Sequence, residues 1–128
     1  MVSMRRMATG LAVWGLLVAA AQAQVAGPSL AQAEAALTAS QAKATQLGVA
    51  VSCAVLDARG SIIAVIRMDK AVYYTANLAI AKARASAIFG APSGALDTIG
   101  ALHLDEYIEL GKMMFHQGAV PITLVGQR

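Results

Sequence analysis

AVSCAVLDARGSIIAVIRM, Ala50 to Met68, is the stretch on which the fold turns. Its two apolar runs are Ala50 to Asp57 (AVSCAVLD) and Ser61 to Met68 (SIIAVIRM). Both are rich in β-branched residues and have strand length. Their apolar character is continuous rather than alternating, so both faces are expected to be covered, at least in part. Asp57-Ala58-Arg59-Gly60 joins them. Asp at the first turn position and Gly at the last are favoured turn chemistry, so the pair is expected to form a hairpin.

Upstream, Ser29 opens a helix, with Gln32 three residues on in a capping-box pattern. Leu30, Ala33, Leu37, Ala44 and Leu47 fall on one helical face, and Gly48 ends the run. Downstream, Asp69 to Tyr74 is a connection, and Thr75 is placed to cap a second helix, Ala76 to Phe89, closed by Gly90 and Pro92. Leu78, Ala81, Ala85 and Ile88 line its expected buried face, with Lys82, Arg84 and Ser86 around or off it. Its alanines allow close approach to a sheet or a partner helix. Ser93 to Ile99 and Leu104 to Leu110 read as short helical turns, and Met113 to Phe115 is apolar. Gln117-Gly118 turns the chain into Ala119 to Val125 (AVPITLV), a third expected strand, which Pro121 makes an edge or begins.

The N-terminus has the three parts of a secretory signal: Arg5 and Arg6 with no acid, the apolar run Leu11 to Ala21, and Ala21-Gln22-Ala23. The apolar run is shorter than the roughly 20 residues a membrane-spanning helix needs, so no stable membrane anchor is expected. Residues 1–23 are therefore expected to be removed, leaving residues 24–128 as one exported domain of about 105 residues, periplasmic or secreted. Cleavage takes Lys plus Arg from 10 to 8 against 7 acids, so most of the basicity (pI 9.4) leaves with the signal. No basic stripe remains to attract nucleic acid or anionic lipid. The one cysteine, Cys53, excludes an internal disulfide, and its strand setting suggests a buried, inert thiol. A core of small aliphatics buries little for a domain of this size, so a homo-oligomer is expected to supply the rest.

Val51 to Leu96 resembles the GlcG/HbpS-like haem-binding family in several motifs. Val55, Asp57 and Gly60 match its Val-x-Asp-x-x-Gly. Arg67, Met68, Asp69 and Ala71 match Arg-Met-Asp-x-Ala. Ala79, Lys82 and Ala83 match the helical Ala-x-x-Lys-Ala, and Ile88-Phe89 the turn after it. Gln117 to Ile122 is similar to the family's Gly-Gly-x-Pro-Ile strand, with Ala119 where Gly is usual. The resemblance spans roughly residues 29 to 128. It implies an α+β, profilin-like architecture: an antiparallel sheet with helices on its faces, often oligomeric. It also implies haem or iron binding in some members, with a sensory or accessory role. The family pattern continues into a glycine-rich strand and a C-terminal helix that this sequence lacks. The expectation is a shortened member with an exposed sheet edge, or one that a partner chain completes.

Haem iron takes an axial ligand from His, Met, Tyr or Cys, and the candidates include His103, His116 and Tyr73. No Cys-x-x-Cys-His motif is present for covalent attachment. Arg67 and Lys82 can each bring a cation to a haem propionate, or can pair structurally with Asp69 or Asp57. Glu106 and Glu109 stand three apart on one helix face, with His103 three before Glu106, a set that suits ferric iron. The same acids also serve as a solvated helix start. No catalytic triad, Cys/His pair with a supporting acid, or phosphate loop is visible. The expected function is an exported haem- or iron-binding protein with a sensory, scavenging or accessory role, with a membrane sensor as the expected partner. The alternatives are an enzyme accessory in small hydroxy-acid or corrinoid metabolism, and a non-functional truncated scaffold.

Overall fold

The computed structural model describes residues 27–95 and 111–123. Its elements are α1 (Leu30–Gln46), β1 (Ser52–Leu56), β2 (Ile62–Arg67) and α2 (Thr75–Phe89). The two strands pair antiparallel, with Cys53 opposite Ile66 and Val55 opposite Ala64. Asp57 Oδ1 accepts the N–H groups of Arg59 and Ser61, each at 2.9 Å, and Gly60 N–H donates to Asp57 O at 3.0 Å. Gly60 is left-handed there, at φ +77°. The expected hairpin is thus present, and the turn that reverses it is the expected Asp-to-Gly turn. Val55 pairs with Ala64 and Leu56 with Ile62, so Ile63 is an extra residue in β2, a bulge that sharpens the local twist.

The sheet carries a helix on each face. Cys53, Val55, Ala64 and Ile66 point to one face and pack on Ala33 and Leu37 of α1. On the other face Ser52 Oγ bonds Thr75 Oγ1 of α2 at 2.7 Å. At the hairpin turn, α2 passes so near that a Cβ on Gly60 would meet Arg84 Cγ at 2.9 Å. Continuous apolar strands follow from this two-sided cover. This is the α+β arrangement that the family resemblance implies.

The start of α1 is a full capping box: Ser29 Oγ accepts Gln32 N–H, and Gln32 Oε1 accepts Ser29 N–H. Ala33, Leu37 and Ala44 are buried as expected, whereas Leu30 and Leu47 are exposed. The reason is length: 17 helical residues run about 25 Å, and a five-residue strand only about 17 Å, so the helix ends overhang the sheet.

Thr75 does not cap α2. It is the first helical residue, and its hydroxyl donates to Val72 O and accepts from Ser52, tying the helix start to β1. The α2 face is also rotated from the expected one. Ala85 and Ser86 are buried, while Ile88 is exposed. Residues 111–119 cause this by crossing the helix: Met114 N–H donates to Ala81 O at 3.2 Å, and Met113 and Phe115 pack on Ala85. Gly90, at φ +63°, closes the helix as read.

The third expected strand is absent over residues 119–123, which join no ladder. Ala119 instead gives its N–H and C=O to Ser93, and Pro121 has no N–H to offer. The signal segment, residues 96–110 and the end of the expected third strand lie outside the described residues. Among the described residues, no helix is long and apolar enough to cross a membrane.

Candidate ligand groove

Among the described residues, one long edge of β1 has no neighbouring strand. Beside it runs an open groove of about 860 Å³. Its floor is β1. Ala36, Leu37 and Ser40 of α1 and Leu78, Ala79 and Ala83 of α2 line it, and residues 118–123 complete its wall. The α2 wall is alanine-rich, and those short side chains are what leave the space. A volume of this order is that of a small-molecule or cofactor site, commonly about 300–1,000 Å³.

Among the described residues, three titratable side chains line the groove: Cys53, Asp57 and Lys82. The Asp57 carboxylate is occupied by the hairpin turn. Lys82 Nζ donates to Gln117 O at 3.1 Å, which fixes the cation where α2 meets the closing segment. Cys53 is a partly exposed free thiol on the floor, not the fully buried one expected, because it lines the open groove.

The closing segment is held by Ser93. This residue is fully buried; its hydroxyl donates to His116 O at 2.7 Å and accepts Ala119 N–H at 3.0 Å, while its own N–H donates to Ala119 O at 2.9 Å. Sequence reading placed Ser93 only in a helical turn. The signal it lacked is pairwise, since the partners lie 23 and 26 residues away. Removing the hydroxyl takes a partner from the His116 carbonyl and the Ala119 N–H, both in part-buried bonds. Ser93→Ala is expected to lower stability by about 2 kcal/mol in urea unfolding, and a loss under about 0.5 kcal/mol would show the clamp to be idle.

The expected site residues separate in space. Lys82 lines the groove. His116 is exposed and lies two residues before Gly118 of the groove wall. Arg67 sits at the end of β2, where Nη1 donates to Ala71 O at 3.3 Å, and it does not line the groove. Tyr73 is largely exposed and packs edge-on against Tyr74 at 5.2 Å, also away from the groove. Neither Arg67 nor Lys82 makes the structural ion pair considered for it, since each reaches a backbone carbonyl instead. His103, Glu106 and Glu109 lie outside the described residues. Among the described residues, no group of three or more His, Cys, Asp or Glu is assembled around one point.

A family model described as haem degrading protein HbpS-like matches residues 29–128. Among solved structures, a doubly substituted form of the Streptomyces reticuli protein HbpS is similar at 24% identity, with a TM-score of 0.72, over 98% of this chain and 80% of that one. The Klebsiella pneumoniae protein ORFY is similar at 23% identity, with a TM-score of 0.72, over 84% of this chain and 77% of that one. No curated protein gives a significant match.

Proposed function

The chain belongs to the HbpS-like family, and from that premise we propose that it is an exported protein that binds haem in the groove along β1. The observation that carries the reading is the groove itself: long, open, walled by small apolar side chains, with Lys82 its one cation among the described residues. A flat porphyrin needs such walls against its faces, and its propionates need a cation where the walls meet solvent. Ala79, Ala83 and Leu37 supply apolar wall, and Lys82 faces a propionate. Of the expected iron ligands, His116 is the described histidine next to the groove wall, and it is assigned the iron. Bound haem supplies redox-active iron; the protein's part is to hold it out of water. The reading extends to a sensory or scavenging role, supported by the resemblance to the HbpS-like family.

Titrating haemin into the protein is expected to raise a Soret band that saturates at one equivalent. His116→Ala is expected to weaken and shift the band. Lys82→Ala leaves the band's position unchanged but weakens binding up to about fivefold, the worth of a half-exposed ion pair. A protein that gives no spectral change at micromolar haemin does not have this function.

A further inference from the structure

We propose that Gly118 and the carbonyl of Gln117 position the Lys82 ammonium, and so make the groove select ligands that carry a free carboxylate. The inference rests on the reading of the groove as a haem site and names what that site discriminates. Lys82 stands half-buried on α2 and lines the groove. A lysine stem is flexible, and a mobile ammonium loses part of its pull on an anion when binding must order it. Here it is ordered beforehand. Nζ donates to Gln117 O at 3.1 Å. The stem passes Gly118, where an added Cβ would stand 3.4 Å from Nζ and 3.5 Å from Cδ. The partner is a neutral carbonyl dipole, which orients the cation without neutralising it. Asp57, the acid among the described groove residues, is spent on the hairpin turn. The charge of Lys82 therefore remains for a ligand, and an ammonium has more donors than the one bond given to Gln117.

The carbonyl is itself held in place. Ser93 ties the residues on either side of the Gln117–Gly118 pair, its Oγ donating to His116 O at 2.7 Å and accepting Ala119 N–H at 3.0 Å. Gly94 lies against Gln117, where an added Cβ would stand 2.9 Å from Gln117 Cα and 3.2 Å from its N. With both neighbours tied and its backbone pressed on Gly94, Gln117 cannot turn its carbonyl off Nζ without straining the Ser93 bonds. Position 118 needs glycine on two counts. Its φ of +135° is backbone that L side chains rarely adopt. A methyl group there would also touch Nζ and cover part of the ammonium that a ligand carboxylate must reach. Gly118 is thus a positioning residue, which acts on the ligand through Lys82. An apolar groove with one fixed cation suits a flat molecule whose acid groups lie at its edge. The ester of the same molecule presents the same faces to the walls but no charge to the cation.

The test compares haemin with haemin dimethyl ester, whose propionates are capped, by Soret titration of the full protein. The unaltered protein is expected to bind the acid about fivefold more tightly than the ester. Lys82→Met removes that preference and leaves the ester's affinity unchanged. Gly118→Ala, with its circular dichroism unchanged, removes the preference as well, and adding Lys82→Met to it removes nothing more. Should Gly118→Ala not fold, Gly94→Ala carries the same expectation, since its backbone is not left-handed and the added methyl group displaces Gln117. A variant that keeps the acid-over-ester ratio, whether or not both affinities fall together, has only a structural effect and overturns the proposal. Equal affinity of the unaltered protein for acid and ester overturns it too, and leaves the haem reading standing. No band with either ligand removes the haem reading and this proposal with it.

Discussion

Ala83→Trp is expected to abolish haemin binding while leaving the protein folded. Ala83 lies on α2 and forms part of the groove wall, only partly buried. Its methyl group is one of the short side chains that keep α2 back from the closing segment. An indole there fills the groove from the wall inward, and an exposed edge of the ring can still reach solvent, so the fold loses little. A porphyrin, however, loses the surface against which one of its faces is buried. At about 25 cal/mol per Å² of apolar surface, forfeiting about 100 Å² costs about 2.5 kcal/mol, or more than a 50-fold loss of affinity. Val72→Trp is the control, since Val72 is half-exposed and away from the groove. Equal Soret titrations for the two variants would move the ligand elsewhere on the molecule.

Local signals carried most of what the sequence disclosed. The Asp57–Gly60 turn, the Ser29–Gln32 box and the glycines at Gly48 and Gly90 are each decided within a few residues, and each is present. Long-range features were less legible. The face of α2 was read from its own apolar spacing, yet Ser86 is buried and Ile88 is not, because residues 111–119 cross the helix from 30 positions away. The AVPITLV run has strand composition, but a strand requires a partner edge, and Ser93 takes the backbone groups of Ala119 first. Lys82 was singled out as a cation and does line the groove, whereas Tyr73 and Arg67 had suitable chemistry in the wrong place. Residue type is written in the sequence; which wall a residue stands on is fixed by packing.

Gly60→Ala is expected to be strongly destabilising, and Gly48→Ala is its internal comparison. Both glycines have left-handed backbones, at φ +77° and +68°. Both substitutions therefore incur the conformational cost of placing a Cβ there, about 1–2 kcal/mol. At Gly48 nothing lies within 4 Å of the new atom, so the cost ends with that term. At Gly60 the new Cβ would stand 2.9 Å from Arg84 Cγ and 3.2 Å from Ile88 Cδ1. Arg84 has little room to yield, because its Nε donates to Gly60 O at 3.2 Å and its Nη1 to Lys112 O at 3.3 Å. The side chain thus ties the hairpin turn, α2 and the segment after residue 110 to one another. Moving it loosens all three, which adds about 1–3 kcal/mol of overpacking. A total near 3–4 kcal/mol is a large share of the stability of a domain of this size. Urea midpoints for the two variants read the difference directly. Equal midpoints would mean that α2 does not press on the hairpin turn, and the groove wall it forms would lose its rigid support.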